Sequence, residues 1–209
     1  MSFFEDIASR LDREGIESRV GGDTLFVPIT PEVELQFVEI DSELPAANVY
    51  VAAADVAEED ESFSAVLVQV AFSAEDALAA VSRHIAIDQV VGLLRDLVVG
   101  DDVRLAEVEF VQDEDDPHRL LAELTAASDL EVVVELDGDT PVATVAMLTD
   151  GEEGEERLEL GEHTDPERLF DVVALAARQA PLWEDELGPV EDDDYYHLED
   201  LAGEDPAED

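Results

Sequence analysis

Proton transfer and metal binding would fall here to 57 Asp and Glu residues and four histidines. Their spacing assigns neither. His84, His118, His163 and His197 lie far apart and share no ligand spacing with one another. His84 sits beside the apolar side of a long helical pattern and reads as a core-edge histidine satisfied by a carbonyl or water. The acidic runs Asp113–Asp116 and Asp192–Asp194 lack the D-x-[DN]-x-[DN]-G order of a calcium loop. Carboxylate pairs for general acid–base work could be drawn anywhere in so acidic a chain, so no pair is singled out. Cysteine is absent, which excludes disulfides and thiolate chemistry. Every one of the ten basic residues is Arg. Without lysine there is no Walker-type phosphate loop and no Schiff base. G-x-G-x-x-G, H-E-x-x-H and G-x-S-x-G are missing as well. We therefore expect no catalytic, cofactor-binding or metal residues, and no cofactor. A small enzyme built from spatially gathered carboxylates is the remaining catalytic alternative.

The charge itself is informative. The net charge is −47, and residues 184–209 hold thirteen carboxylates and no Arg, so 34 net negative charges remain on residues 1–183. Such a surface repels itself in dilute buffer. At about 1 M salt the Debye length falls to ~3 Å and the repulsion is screened. Acid without lysine, spread over every segment, is expected of a protein from a concentrated-salt cytoplasm, that of an extreme halophile and in particular a salt-loving archaeon. A nucleic-acid mimic would gather its acid on one face. Direct nucleic-acid binding needs Lys and Arg against phosphates and is not expected. The N-terminus MSFFEDIASRLDREG is charged from its fifth residue and no run of about 18 uninterrupted apolar residues occurs, so neither a signal peptide nor a membrane span is expected and the cytoplasm is the expected location.

The elements are organised around Ser73–Gly100. Ser73 and Asp76 form an S-x-x-D cap, and Gly100 is the stop. Polar residues recur at Glu75/Asp76, Ser82/Arg83, Gln89 and Arg95/Asp96, one wet stripe. Ala77, Ala80, Val81, Ile87, Val91, Leu94 and Val98 form one broad apolar face opposite. Before it, Phe3–Glu14 predicts a helix capped by Ser2 and Glu5, burying Phe4, Ile7, Ala8 and Leu11. Gly21–Gly22 predicts a hairpin turn, and Pro28 and Pro31 place the end of its second strand at a sheet edge or bend. VELQFVEI predicts a half-buried strand with Val33, Leu35 and Phe37 inward and Glu34, Gln36 and Glu39 outward. NVYVAAADV and AVLVQVAF predict two more strands, the latter with Val66, Val68, Val70 and Phe72 on one face.

After the long helix, VRLAEVEFVQ predicts a strand. HRLLAELTAA fits either helix or strand, and the flanking β signals favour a strand. LEVVVEL and TPVATVAML predict a hairpin turning at Asp137-Gly138, followed by a short strand at Arg157–Leu160. Thr164, Asp165, Pro166 and Glu167 announce a last helix, with Thr164 as its cap, Leu169, Phe170, Val173 and Ala177 buried, and an end near Ala180-Pro181. GGDT at 21–24 and DGDT at 137–140 raise the question of a duplication.

These patterns predict an α+β fold: an antiparallel sheet covered mainly on one face by three helices, in the order α-ββββ-α-ββββ-α. Residues 1–183 form one domain whose β-rich halves, 1–72 and 101–163, are joined by helix 73–100. Residues 184–209 form an acidic tail expected to be largely disordered. Within that tail Tyr195, Tyr196, Leu198 and Leu201 cluster. With Trp183, the only Trp, they are the candidate partner-docking residues.

The helix FFEDIASRLDREGIESRV, the strands TLFVPI and VELQFVEI, the central helix and the closing ERLFDVVALAARQAPLWEDEL follow one another in an order similar to the YbjN and type III secretion chaperone-like domains. The resemblance covers residues 3 to about 187, rests on element order rather than motif, and assigns no site residues. It implies a non-enzymatic domain, often dimeric, that holds a partner peptide on a sheet face or edge. The expected function is thus protein interaction or chaperoning. The alternative is a regulatory module that docks on a larger complex through its acidic aromatic tail.

Overall fold

A computed structural model describes residues 2–41, 43–54, 64–151 and 154–187. The fold is α+β with three helices and two separate antiparallel sheets of five strands, where one sheet was expected. The first half runs α1 (Phe3–Arg13), β1 (Arg19–Gly21), β2 (Thr24–Pro28), β3 (Val33–Glu39), β4 (Ala47–Ala53) and β5 (Ala65–Ala71). The second runs β6 (Val111–Gln112), β7 (Arg119–Thr125), β8 (Ser128–Asp137), β9 (Thr140–Gly151), β10 (Gly154–His163) and α3 (Pro166–Leu187). Helix α2 (Ala74–Val99) joins them. Each sheet is a plain meander, its strands hydrogen-bonded in chain order.

The caps form as their residues dictate. Ser2 Oγ accepts from the Glu5 N–H while Glu5 Oε2 accepts from the Ser2 N–H. Ser73 Oγ accepts from the Asp76 N–H, and Gly100 takes φ 65°, the left-handed conformation that ends a helix most cheaply without a Cβ. For α3 the cap is Asp165 rather than Thr164: its Oδ1 accepts from the Glu167 N–H, and Pro166 opens the helix, where a missing N–H is harmless. α3 also runs past Ala180 and through Pro181 to Leu187, so the helix enters what was expected to be tail.

Helix α2 departs most from the single-face expectation. It buries Ala74, Ala77, Ala80 and Val81 in a first core with Ile7, Leu11, Leu25, Leu35 and Phe37. It buries Val90, Leu93 and Leu97 in a second core with Leu120, Leu130, Val132, Val145, Leu169 and Val173. Val81 and Val90 are nine residues apart, roughly 900° of rotation at ~100° per residue, so they point to opposite sides. The two sheets therefore flank α2 on opposite sides, and no buried residue is shared between their cores. By length and a hydropathy of 1.4 this helix could cross a bilayer. Here two of its apolar sides are packed in the two protein cores.

Other differences follow from position in the sheets. Glu34 and Gln36 are buried along with Leu35 and Phe37, because β3 is the central strand of its sheet and the Arg19 side chain reaches Glu34 from β1. Arg19 donates to Glu34 Oε2 at 2.9 Å and lies over the Phe26 ring, while the Gln36 amide donates to Glu34 Oε1. Val66 and Val68 are exposed because β5 is an edge strand, not a central one. Residues 102–107 are turns, and only Val111–Gln112 of the expected strand VRLAEVEFVQ pairs; Leu105, Val108 and Phe110 still enter the second core. The HRLLAELT segment is a strand, as favoured. β10 exceeds the expected short strand by several residues at both ends. GGDT turns the first hairpin of one meander and DGDT the third of the other, so these motifs do not occupy equivalent places.

Two arginine clusters tie down the second half. Glu131, buried on β8, is held between Arg119 and Arg157, and Arg119 also reaches Asp113 at 2.9 Å. Arg104 bonds Asp102 and reaches α3 through the Glu167 carbonyl and carboxylate and through Asp171. It clasps the turn after α2 to the start of α3. Hydrogen bonds from the Arg104 side chain, and then from its backbone N–H, hold the Asp102 carboxyl at about 2, below the ordinary 3.8. A depressed carboxyl pKa contributes stability that is present above the unfolded value and is lost as pH falls from about 4 towards 2. Carbon-detected NMR titration should place the Asp102 midpoint near 2, and Arg104→Met should return it towards 3.8.

A candidate partner-binding groove

Between the two buried stripes of α2 runs a third. Ile87, Val91, Leu94 and Val98 recur at i, i+4, i+7 and i+11, one helical face. Val91 remains 46% exposed, and Ile87 and Val98 are exposed as well. This face forms one wall of an open groove of about 410 Å³. The opposite wall comes from β6, the Pro117–Leu120 segment and Leu136 at the end of β8. A turn puts that wall in place: Asp116 caps the chain around Pro117, and His118 Nδ1 lies 3.0 Å from the Val134 carbonyl, fixing its ring beside the groove.

The groove is almost wholly apolar, with Arg95 as its one charged lining residue. Among the described residues Arg95 has no carboxylate within ion-pair distance, as is also true of Arg13, Arg83, Arg168 and Arg178; what sets it apart is its place in an apolar groove. An apolar trough lined by one guanidinium suits an extended or helical segment that offers apolar side chains and at least one carboxylate. It offers no converging acids for catalysis. Among the described residues no three His, Asp or Glu side chains gather as a metal site would require.

The structure places the candidate residues as follows. Trp183 lies on α3, half-buried. Tyr195, Tyr196, Leu198 and Leu201 lie outside the described residues. His84 Nδ1 is 2.8 Å from the Ala80 carbonyl, the satisfied arrangement expected of it. Of the groove residues, Ile87, Val91, Leu94 and Val98 belong to the broad apolar face that the spacing predicts for α2, and Arg95 to its wet stripe. The available signal was width: α2 carries three apolar series, more than a helix packed on one sheet can bury.

No family model, curated protein or solved structure matches this chain.

Proposed function

We propose that this protein is a non-enzymatic interaction module of a salt-adapted cytoplasm, and that the α2 groove holds an acidic, apolar segment of a partner protein. The observation that supports the reading is Arg95, without an ion-pair partner among the described residues, as the one charged side chain lining an otherwise apolar groove. At molar salt long-range steering is screened, so such binding rests on apolar burial, with the carboxylate–guanidinium contact setting register. A second occupant has the same chemistry. Residues 192–201, DDDYYHLEDL, alternate acid with large apolar side chains. Docked in the groove they would make the tail a regulator of partner access.

A photoreactive phenylalanine analogue at position 91, cross-linked at native salt, tests both. A cross-link to an acidic, apolar segment of another protein, weakened at least tenfold by Arg95→Glu, is the expected result. A cross-link to residues 188–209 of the same chain favours the tail. Cross-linking no stronger than from position 103, where Val103 is 87% exposed, overturns both readings.

A further inference from the structure

Among the described residues two open sheets leave four edge strands: β1, β5, β6 and β10. An unpaired edge offers a row of free N–H and C=O groups, and proteins blunt it with brevity, charge, proline, bulges or cover. Three of the four are guarded in this way. β1 has three residues and carries Arg19; β6 has two; β10 carries Glu155, Glu156, Arg157, Glu159 and Glu162, with a bulge between Glu159 and Gly161. β5 differs. Its seven residues, AVLVQVA, include no charge and no proline, in a chain where 32% of residues are charged. Val66 is 60% and Leu67 52% exposed, and Phe72 just beyond the strand is 68% exposed. Within the strand, among the described residues, its one guard is the register shift opposite Val49/Tyr50, which makes Val68 the extra residue of a bulge, while Asp76, Arg83 and Asp139 stand beside Gln69, Val70 and Phe72 at its far end.

The order of side chains in β5 says what would fit. Read from either end the strand is nearly the same: Ala65 matches Ala71, Val66 matches Val70, and Val68 is the centre; only Leu67 and Gln69 differ. A two-fold axis beside Val68 would set two such strands antiparallel with Ala opposite Ala and Val opposite Val. Like apolar pairs across an antiparallel ladder are favourable, and in an isologous contact, where i meets j and j meets i, this order brings them together twice. The bulge then falls on the axis, leaving Ala65–Leu67 and Gln69–Ala71 to pair on either side of it.

We infer that β5 is the self-association edge of this protein, pairing antiparallel with β5 of a second copy to extend the first sheet across the dimer. The surface is separate from the α2 groove, which lies on the second half. Each copy carries −47, so the pairing belongs to high salt and weakens as salt is withdrawn.

The full chain at tens of micromolar in molar KCl should have the mass of a dimer by light scattering. Val68→Glu, with unchanged circular dichroism, should weaken the dimer at least tenfold. The chain has no cysteine, so single introduced thiols report position without background. Val68→Cys should cross-link with a short bismaleimide to its own counterpart, and Val111→Cys, on β6, should not. A monomer in molar KCl overturns the proposal. So does a dimer undisturbed by Val68→Glu, or cross-linking of Val111→Cys as fast as Val68→Cys. Should Val68→Glu fail to fold, the thiol comparison decides.

Discussion

Transfer from molar KCl to about 0.01 M salt should unfold this protein, with loss of its helical circular dichroism, and restoring the salt should refold it. The screening length rises from ~3 Å to ~30 Å over that range, so carboxylates that ignored one another begin to repel across the molecule. Few internal pairs offset this. Among the described residues the carboxylates that contact Arg cluster at Arg10, Arg19, Arg104, Arg119 and Arg157. Deleting residues 188–209 removes ten carboxylates but leaves most of the charge on the folded part, so the salt midpoint should barely move. Retention of the full signal at 0.01 M would refute the salt-adapted reading, and a large shift on truncation would place the effect in the tail instead.

Truncating each core should cost heavily and independently. Leu97 and Phe37 are both fully buried, one in each cluster. Leu97→Ala should destabilise by about 3 kcal/mol and Phe37→Ala by about 4 kcal/mol, each the lost transfer energy plus the cavity left behind. For a chain of this size 1 kcal/mol is about 2–4 °C in Tm, so each change should be plain in a thermal scan at molar salt. Because no buried residue belongs to both clusters, the double variant should lose the sum of the two within about 0.5 kcal/mol. A coupling well beyond that would mean that the cores communicate through α2.

Much of the local structure was legible because its causes are local. Ser2 with Glu5, Ser73, Gly100, Gly22 and Asp137-Gly138 act within a few residues of themselves, and each cap and turn formed where these residues stand. What escaped depends on neighbours distant in the chain. Glu34 looked solvent-facing by alternation, yet Arg19 and Gln36 satisfy it under cover. Val66 and Val68 share one face of their strand by alternation, but alternation does not reveal that β5 lies outermost with that face exposed. Leu105, Val108 and Phe110 are buried without a ladder, since burial needs only apolar side chains in reach of a core. The groove was hidden for the same reason as the second core. A helix apolar over most of its girth satisfies a single-stripe reading, and Val90, Leu93 and Leu97 were left over.

The opposed stripes of α2 also constrain how the chain can change length. Inserting one residue between Val81 and Val90 would turn the second half by about 100° against the first, and two would turn it by about 200°. Seven residues would return the phase to within about 20° while moving the halves some 10 Å apart. The middle of α2 thus works as a torsional gauge between two otherwise complete layers. Sequences that keep this architecture should vary in length there by steps of about seven or eleven residues, each of which restores the phase to within about 20°, or not at all.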